Sequence, residues 1–301
     1  RKVGEENMKV VNLGSLNLDR VYRVEHFVKG QETISAKDYS ENAGGKGLNQ
    51  SIALARAGMQ VLHIGSVGKD GEILRALLAQ NGVDTHLVNV VEGASGHAVI
   101  QLVEGQNCIL VYGGANQMIG SDQVRQALTE CEGEDVLLLQ NETSSVPEAI
   151  CMAKEKGMRV AFNASPVTPD MSAYPMDLVD LFFVNEGEGM FLAGTDCSDP
   201  DRILDSLRKK YNAKIVLTLG GDGAYYQDHD MRLYQPAFSV PVVDTTGAGD
   251  TFTGYFLANL HRGPEKALRI ATAAAALAVG TKGAAPGIPT ANQVKDFLIK
   301  Q

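Results

Sequence analysis

The sequence predicts an α/β fold with a mostly parallel central sheet, helices on both faces of that sheet, and a small β-sheet lid. Short apolar runs rich in β-branched residues alternate with segments of helical periodicity, as in a parallel sheet covered on both faces. Other segments alternate partly between apolar and polar residues, which is typical of half-exposed strands. At 301 residues, 44% of them hydrophobic, the chain can bury one large core.

The predicted elements follow from these patterns in chain order. A buried strand at 10–14 precedes two half-exposed strands at 20–27 and 31–40. A helix opens after Gly44-Gly45 and ends near Ala57, because Gly58 is a natural C-terminal stop. Strands and helices then alternate over 61–66, 72–80 and 85–90, and a second half-exposed pair at 97–103 and 108–112 flanks a hairpin turn at 104–107. The alternation resumes over 122–130, 136–139, 146–156, 159–162, 181–184, 186–192, 201–210 and 215–219.

The stretch 242–252 has the composition of an anion-binding turn. Val242-Val243 is β-branched and apolar, so it is predicted to end a buried strand. Gly247-Ala248-Gly249 then precedes an apolar helical run, where unpaired backbone N–H groups attract anions. Asp250 in the first turn could simply favour the helix dipole. The tight packing of glycines against an acid instead favours a general base beside a phosphoryl group.

Composition excludes several classes of function. The net charge of −9 and pI near 5.2 argue against a nucleic acid or an anionic membrane as the main partner. The four cysteines form no C-x-x-C pair, so we expect reduced thiols in a cytoplasmic protein. The polar residues 1–7 show no signal peptide and are interpreted as a short extension or a cloning remnant. Residues 8–301 are predicted to form one domain, with lid strands at about 18–42 and 95–113.

Polar residues cluster at predicted strand ends. In parallel sheets, ligands bind beyond the carboxyl ends of the strands. Two glycine clusters and several polar residues at those ends make one shared cleft the better explanation. The polar residues are Asp19, Glu142, Asn163, Asn185, Thr218 and Asp250.

Two long motifs and two short ones resemble those of the ribokinase-like (pfkB-type) carbohydrate kinase family. The first reads Gly44-Gly45-Lys46-Gly47-Leu48-Asn49-Gln50-Ser51, and the second reads Asp244-Thr245-Thr246-Gly247-Ala248-Gly249-Asp250. Between them come Asn185-x-x-Glu188 and Thr218-Leu219-Gly220-Gly221-Asp222-Gly223, also in family order. The resemblance covers about residues 9–300 and departs from the family pattern at Tyr255, where a small residue is usual.

The resemblance implies an ATP-dependent sugar kinase and assigns roles to its residues. Asp250 would accept the proton of the attacking hydroxyl, while the N–H groups of Gly247, Ala248 and Gly249 would hold the phosphoryl oxygens. The sugar hydroxyls would be held by Asn17, Asp19, Gly45, Lys46 and Asn49, with Glu142 closing the site. ATP and Mg²⁺ would be positioned by Asn185, Glu188, Thr218, Gly220 and Gly223, the metal largely through water.

The family also uses a monovalent cation, K⁺, beside the anion hole. The resemblance implies that Asp244 supplies a carboxylate and Thr246 a carbonyl, with further carbonyls from the loop 280–287, at Lys282, Ala284 and Gly287. A loop this rich in Gly and Ala suits backbone ligation, and it equally suits a plain connection after an alanine-rich helix.

Structural alternatives remain open for three of the motifs. Gly44-Gly45 could be a flexible turn, Asn185 and Glu188 could cap a helix, and the glycines after Thr218 could serve an ordinary turn.

The activity expected first is the phosphorylation of D-ribose at O5. The alternatives are a kinase for another sugar or a nucleoside, and a non-catalytic sugar- or nucleotide-binding regulator on the same fold. Because the segment Asn17-x-Asp19 offers groups that suit hydroxyls, it favours a neutral sugar. Exposed lid strands make a homodimer plausible through their edges.

Overall fold

The structure is a computed structural model that describes residues 8–301, so the predicted extension at residues 1–7 lies outside the described residues. The strands are β1 (Lys9–Leu13), β2 (Asn17–Arg23), β3 (Asp38–Gly44), β4 (Gln60–Val67), β5 (Val88–Val90), β6 (Gly96–Val103), β7 (Gln106–Tyr112), β8 (Val136–Gln140), β9 (Arg159–Asn163), β10 (Leu181–Asn185), β11 (Lys214–Thr218), β12 (Ala224–Gln227) and β13 (Arg232–Gln235). The helices are α1 (Lys46–Arg56), α2 (Glu72–Gln80), α3 (Ser121–Leu128), α4 (Val146–Glu155), α5 (Glu186–Ala193), α6 (Pro200–Lys210), α7 (Ala248–Asn259), α8 (Pro264–Val279), α9 (Ala284–Gly287) and α10 (Ala291–Ile299).

Nine strands form the large sheet, in the order β13-β12-β11-β10-β9-β8-β1-β4-β5. The seven strands from β11 to β5 run parallel, and β12 and β13 continue the sheet as antiparallel strands. The predicted mostly parallel sheet is therefore confirmed. Since parallel strands end at the same edge, their carboxyl ends line up above β1, β8, β9 and β10.

Each face of the large sheet has its own core. Along β1, Val10 packs into one core and Val11 into the other, because successive side chains of a strand point to opposite faces. Leu48 of α1 and Phe256 of α7 belong to the first core. The second core lies beneath α3, α4 and α6, where Val146 is among its fully buried members. Both faces are thus covered, as uniformly apolar strands require.

The small sheet has four strands in the order β3-β2-β6-β7, and it too was predicted. Its register places Asp19 opposite Asn42 on one side and Ala98 on the other, so these three residues share a face. The edge strands β3 and β7 are largely exposed.

Two details of the small sheet differ from the prediction. The second strand begins at Asp38, and the residues before it form a turn and an extended connection instead of a strand from 31 onward. The hairpin turn is two residues long, because Glu104 and Gly105 both adopt positive φ angles, of 46° and 84°. Such a pair closes a tight hairpin, so the flanking strands extend to Val103 and Gln106.

The predicted strand end at Val242-Val243 is wrong. The two side chains are 65% and 62% exposed, and no strand is assigned between Gln235 and α7. The backbone N–H groups of Val243 and Asp244 donate to the carbonyl of Val279 at 2.8 and 3.1 Å. The last turn of α8 therefore supplies the hydrogen-bond acceptor for these two N–H groups, and they need no partner on a neighbouring strand. The sequence prediction also missed β12 and β13.

Tyr255 does not disturb the helix that carries it. Its ring is buried at 1% exposure in the first core, and its hydroxyl donates to the carbonyl of Pro289 at 2.7 Å. A large residue is accommodated here because its polar end has a partner. None of the helices in residues 8–301 has the length and apolar character needed to cross a bilayer.

Candidate active site

Asp250 lies in the first turn of α7, against the loop that follows α8. The helix begins after Gly247, whose φ of 77° is left-handed, and a Cβ atom there would lie 2.8 Å from the Cβ of Ala284. Both the left-handed backbone and the close packing against Ala284 therefore require glycine at position 247. Only 8% of Asp250 is exposed, so its carboxylate is held inside the protein at the electropositive end of the helix.

The side chains that hold Asp250 come from α1. Asn49 donates from Nδ2 to Asp250 Oδ2 at 3.0 Å, and Gln50 donates from Nε2 to Asp250 Oδ1 at 2.9 Å. The two helices can come this close because Gly254 faces Ala53, where a Cβ atom would lie only 2.5 Å from that alanine's side chain. Each carboxylate oxygen of Asp250 thus receives one hydrogen bond from α1.

Burial and the neighbouring charges have opposite effects on the pKa of Asp250, and the same is true of the pKa of Lys46. Burial raises the pKa of Asp250, and the positive charge of Lys46 and the bonds from Gln50 and Asn49 partly oppose it. Burial lowers the pKa of Lys46, but the charges of Asp250, Glu142 and Glu188 outweigh it and raise the value. Lys46 is therefore a cation shared among several carboxylates of one cleft.

Glu142 follows β8, as the sequence predicts, and it lies at the start of α1. One of its oxygens accepts from the backbone N–H of Lys46 at 3.1 Å and from the hydroxyl of Ser15. Ser15 in turn accepts from the N–H of Gly47 at 3.2 Å, so the first turn of α1 is fixed to both β1 and β8. Burial raises the pKa of Glu142, and Lys46 opposes that rise.

Asp19 faces the same cleft from the small sheet. Gly44 leaves it room, because a Cβ atom on Gly44 would lie 2.1 Å from Asp19 Oδ2. Burial, reinforced by the charge of Glu142, raises the pKa of Asp19 from 3.8 to about 6. Glu142 is therefore close enough to influence the ionisation of Asp19.

In the side-chain amides of Asn17 and Asn49, one of the two polar atoms is already used in a hydrogen bond within the protein. Asn116 donates from Nδ2 to Asn17 Oδ1 at 2.7 Å, which leaves the NH₂ group of Asn17 free to donate. Asn49 uses its NH₂ group on Asp250, and its Oδ1 is buried with no hydrogen-bond partner. The cleft therefore offers a donor at Asn17 and acceptors at Asn49 and Asp19, a pattern that suits a polyhydroxyl ligand.

Asn185 and Glu188 form a capping box at the start of α5. Glu188 N–H donates to Asn185 Oδ1, and Asn185 N–H donates to Glu188 Oε2, both at 2.9 Å. The structural alternative is thus present in the fold. It leaves the second carboxylate oxygen of Glu188 free, and the effect of Glu188 on Lys46 shows that its charge acts on the cleft.

The residues assigned to the nucleotide continue along the same edge of the sheet. Thr218 is the register partner of Asn185, and its hydroxyl donates to the carbonyl of Val184 at 3.4 Å. Gly220 and Gly223, with φ angles of 56° and 107°, form the turn between β11 and β12. This turn has no described contact with Asp250.

Asp244 joins the turn before α7 to the loop 280–287. Thr246 donates to Asp244 Oδ1 from its backbone N–H and its hydroxyl, at 2.9 and 2.7 Å. The N–H of Gly283 donates to Asp244 Oδ2 at 2.8 Å. Although burial opposes it, these bonds and the charge of Lys282 lower the pKa of Asp244, so the group is ionised. Lys282, Ala284 and Gly287 lie in or beside α9, next to the Gly247 turn.

Three residues that support the site were not singled out from the sequence. Asn116 orients Asn17, Ser15 anchors Glu142, and Gln50 holds Asp250. Gln50 stands within the first motif, one position after Asn49, so its place in the sequence was a usable signal. Asn116 and Ser15 carried none, because their roles depend on contacts across 99 and 127 positions of the chain.

A cavity of about 520 Å³ lies at the opposite edge of the large sheet. It is lined by Arg159, Leu181 and Lys214, the first residues of three parallel strands. In such folds ligands bind beyond the carboxyl ends. The convergent polar groups therefore identify the cleft at Asp250 as the candidate active site.

Comparison with known proteins finds similarity along nearly the whole chain. The family model described as pfkB family carbohydrate kinase matches residues 7–291. A ribokinase of Haemophilus influenzae is 35% identical over 297 residues, which cover 95% of this chain and 97% of that protein.

Solved structures resemble this one closely. A ribokinase of Arabidopsis thaliana complexed with ribose and ATP matches with a TM-score of 0.84 and 32% identity, covering 97% of this chain and 98% of that chain. A ribokinase of Cryptococcus neoformans in complex with ADP matches with a TM-score of 0.85 and 31% identity, covering 96% and 99%.

We expect Asp19→Asn to stabilise the unliganded protein at neutral pH. Because the pKa of Asp19 is raised from 3.8 to about 6 in the folded state, its contribution to stability is full below about 3.8 and is lost as pH rises through about 6. The melting temperature of the variant minus that of wild type should therefore increase by a few degrees between about pH 4 and pH 7. Differential scanning fluorimetry across that range measures it, and a difference independent of pH would contradict the raised pKa.

Proposed function

The chain belongs to the pfkB family of carbohydrate kinases, and we propose from that premise that it transfers the γ-phosphoryl group of ATP to O5 of D-ribose. Members of this family are phosphotransferases that use an alcohol group as acceptor. The observation that carries the proposal is the buried Asp250 at the start of α7, held by Asn49 and Gln50 beside the cation of Lys46.

Asp250 acts as the general base in the proposed mechanism. A carboxylate must be ionised to accept the proton of the attacking hydroxyl, and burial raises its pKa and so its basicity. Lys46 and the two amide donors stabilise the ionised form and so oppose that rise, while burial makes the base stronger than a surface aspartate.

The start of α7 receives the transferring phosphoryl group. Gly247 is the N-cap of α7, and Ala248 and Gly249 are its first two residues, so their N–H groups have no partners within the helix. The N–H of Ala248 donates to the carbonyl of Thr245 at 3.3 Å, at the long end of the hydrogen-bond range. These donors are fixed before the reaction and can stabilise charge as it develops on the phosphoryl oxygens. Gly249 has open space around its Cα, so an anion can approach the backbone there.

The sugar lies between the small sheet and α1. Asn17 donates to a hydroxyl, Asp19 and Asn49 Oδ1 accept from others, and the buried, unpaired state of Asn49 Oδ1 supports a ligand at that atom. Gly45 lets the ligand approach the backbone before α1, Lys46 donates, and Glu142 closes the site beside Asp19. A vicinal diol matches such paired acceptors.

ATP is proposed to lie along β10, β11 and the turn that contains Gly220 and Gly223. Mg²⁺ would be held near Glu188, whose second oxygen has no partner in the capping box, and near Asn185 through water. When bound, the ion neutralises charge on the phosphate oxygens. The residues present fit this role, since the box orients the carboxylate without consuming it.

A monovalent cation would be held by Asp244 and by carbonyls of Thr246, Lys282, Ala284 and Gly287. The ionised state of Asp244 and its bond to Gly283 support this assignment. Its chemistry would be electrostatic, as a fixed positive charge beside the Gly247 turn.

Two alternatives define the test. Another sugar or a nucleoside could be the acceptor, and a regulator could bind sugar without turnover. A regulator has no need of a buried base, and the hydrogen-bonded Asp250 therefore disfavours it. A cytoplasmic location stays a prediction.

We expect ribose to give the highest kcat/KM when ADP release is measured over a panel of pentoses, hexoses and nucleosides. Asp250→Asn is the matched control, because it keeps the size of the side chain and removes the base, although its NH₂ group can no longer accept one of the two hydrogen bonds from α1. It should lose at least about 10²-fold in kcat while sugar and ATP still bind by calorimetry. A variant that keeps more than about a tenth of wild-type kcat would exclude Asp250 as the base.

We expect potassium to raise the rate at constant ionic strength. A cation enclosed by Asp244 and the loop 280–287 would fix the Gly247 turn, because this loop contacts Asp244 through Gly283 and lies against Gly247 at Ala284. Steady-state rates in potassium chloride and in tetramethylammonium chloride measure the effect, since the larger ion preserves screening without entering the site.

Asp244→Ala should slow the enzyme and abolish the difference between the two salts. Equal rates of the wild type in both salts would mean that Asp244 is simply a polar residue that ties two loops together.

We also propose that the small sheet joins two copies of the chain. On the edge strand β7, four large apolar side chains in succession are exposed, namely Ile109 (50%), Leu110 (70%), Val111 (61%) and Tyr112 (56%). Exposed edges and apolar patches favour association. Sedimentation velocity at micromolar concentration should give a dimer, and Leu110→Lys should shift it to monomer. A wild-type monomer at these concentrations would remove the proposal.

A further inference from the structure

We propose that Gln50 is a positioning residue for the reaction, and that a relay of buried amides, Gln140 and Asn12, fixes its orientation toward Asp250. This inference rests on the proposed role of Asp250 as the base. The relay crosses from α1 to the two central strands β8 and β1, and neither Gln140 nor Asn12 was assigned a role above.

All the hydrogen-bonding groups of the Gln50 side chain are used. The residue is fully buried, and its Nε2 donates to Asp250 Oδ1 and to Asn163 Oδ1, both at 2.9 Å. Its Oε1 accepts from Gln140 Nε2 at 2.7 Å. Asn163 is held in turn by a bond from its Nδ2 to the carbonyl of Phe183 at 3.1 Å. If the Gln50 amide rotated by half a turn, an oxygen would face two oxygens, so a single orientation is allowed.

Gln140 and Asn12 repeat this logic deeper in the protein. Gln140 Nε2 donates both to Gln50 Oε1 and to Asn12 Oδ1, the latter at 3.0 Å. Asn12 Nδ2 donates to the carbonyl of Gly47 at 2.9 Å and to Ser51 Oγ at 2.8 Å. Both side chains are at most 1% exposed. The side chain of Asn12 therefore fixes the orientation of the Gln140 amide. The Gln140 amide in turn fixes Gln50, which donates to Asp250.

The relay ends on a histidine that stays neutral. Since Ser51 accepts from Asn12, its own hydrogen points to His63 Nδ1 at 2.8 Å, which leaves His63 Nε2–H to donate to the carbonyl of Gly14 at 3.1 Å. Burial lowers the pKa of His63 to about 4. No group in the relay therefore changes charge near neutral pH, and the orientation of Gln50 does not depend on pH there.

Stability alone does not account for this arrangement. Amides in a core are costly unless they are hydrogen-bonded, and apolar residues of the same shape would serve the fold as well or better. Gln140 Oε1 even remains buried without a partner. Gln140 keeps its orientation because its NH₂ group donates to two oxygens, Gln50 Oε1 and Asn12 Oδ1, and the first of these bonds fixes the residue that holds Asp250. The function that explains the cost is a fixed donor aimed at the carboxylate.

The consequence is a carboxylate that cannot rotate. Asn49 holds Oδ2 and Gln50 holds Oδ1, from adjacent positions of one helix. The charged groups coupled to Asp250 are Lys46 of α1 and Glu142 after β8, and neither forms a hydrogen bond with the Gln50 side chain. Loss of the Gln50 amide should therefore change the geometry and basicity of Asp250 and leave the charges around it unaltered.

The test is Gln50→Met, which keeps the length of the side chain and removes its hydrogen bonds. We expect kcat to fall at least about tenfold, because a misplaced base loses rate steeply, while KM for the sugar changes less than about threefold. The pKa of Asp250 should rise by about one unit, since the ionised form loses a donor. It is measured by carbon NMR on protein labelled at the aspartate carboxyl carbons, with the resonance assigned through Asp250→Asn.

Two further variants separate positioning from folding. Gln140→Met touches neither Asp250 nor any proposed ligand, and it should shift kcat and the Asp250 pKa in the same direction by a smaller amount. Gln123→Met makes the same substitution in α3, where the side chain donates to the carbonyl of Gly65 at 2.8 Å. It should lower the melting temperature and leave both readouts unchanged.

The pKa measured by NMR does not depend on turnover. The positioning role of Gln50 and the role of Asp250 as the base would therefore be contradicted by different results. An Asp250 pKa that is the same in wild type, Gln50→Met and Gln140→Met would overturn the positioning role. A shifted pKa with unchanged kcat would instead overturn the assignment of Asp250 as the base, and with it the use of Gln50 in the reaction.

Discussion

The burial of one carboxylate between α1 and α7 is the constraint on which the rest of the site depends. Removing a charge from water is costly, so Asp250 needs the helix start, the amides of Asn49 and Gln50, and the cation of Lys46. These groups can reach it only because the helices touch at Gly254. A side chain there would force α1 and α7 apart and would loosen the carboxylate. Packing in the core thus sets the geometry of the proposed base.

The small sheet contributes the other half of the cleft, and a rigid junction fixes its position. Asn116 contacts both Leu16 and Asn17, with its Oδ1 accepting from the N–H of Leu16 at 2.9 Å. Its own carbonyl accepts from the N–H of Ser144 at 3.1 Å, two residues after Glu142. One buried amide therefore connects the start of β2 to the loop that carries Glu142. Because the junction is hydrogen-bonded on both sides, Asp19 and Glu142 are held in a defined relation although they belong to different sheets.

The sequence predicted most of the fold because local patterns dominate in a parallel sheet. Most apolar strands and helices before β12 were found within a few residues of their bounds, and glycine correctly placed the starts of α1 and α7, but α10 was not predicted. The error at Val242-Val243 has a different origin, since α8 satisfies that backbone from a distance of more than thirty positions. The site residues came from motifs, and the ones missed, such as Asn116 and Gln140, act only through long-range amide contacts. No local pattern distinguishes an amide that positions another residue from one that merely packs.

The distribution of charge in the cleft favours a neutral acceptor. Burial raises the pKa of Asp19, Glu142 and Asp250 alike, and the positive charge of Lys46 opposes that rise at Glu142 and Asp250. A sugar that carries a phosphate beside Asp19 and Glu142 would add like charges where charge is already disfavoured. A neutral polyol instead supplies hydroxyl donors to the same oxygens and stabilises their ionised forms. The phosphoryl group would be received on the other side of Asp250, at the start of α7, where backbone N–H groups can stabilise negative charge. We therefore expect the two ends of the cleft to favour partners of different charge, with Asp250 between them.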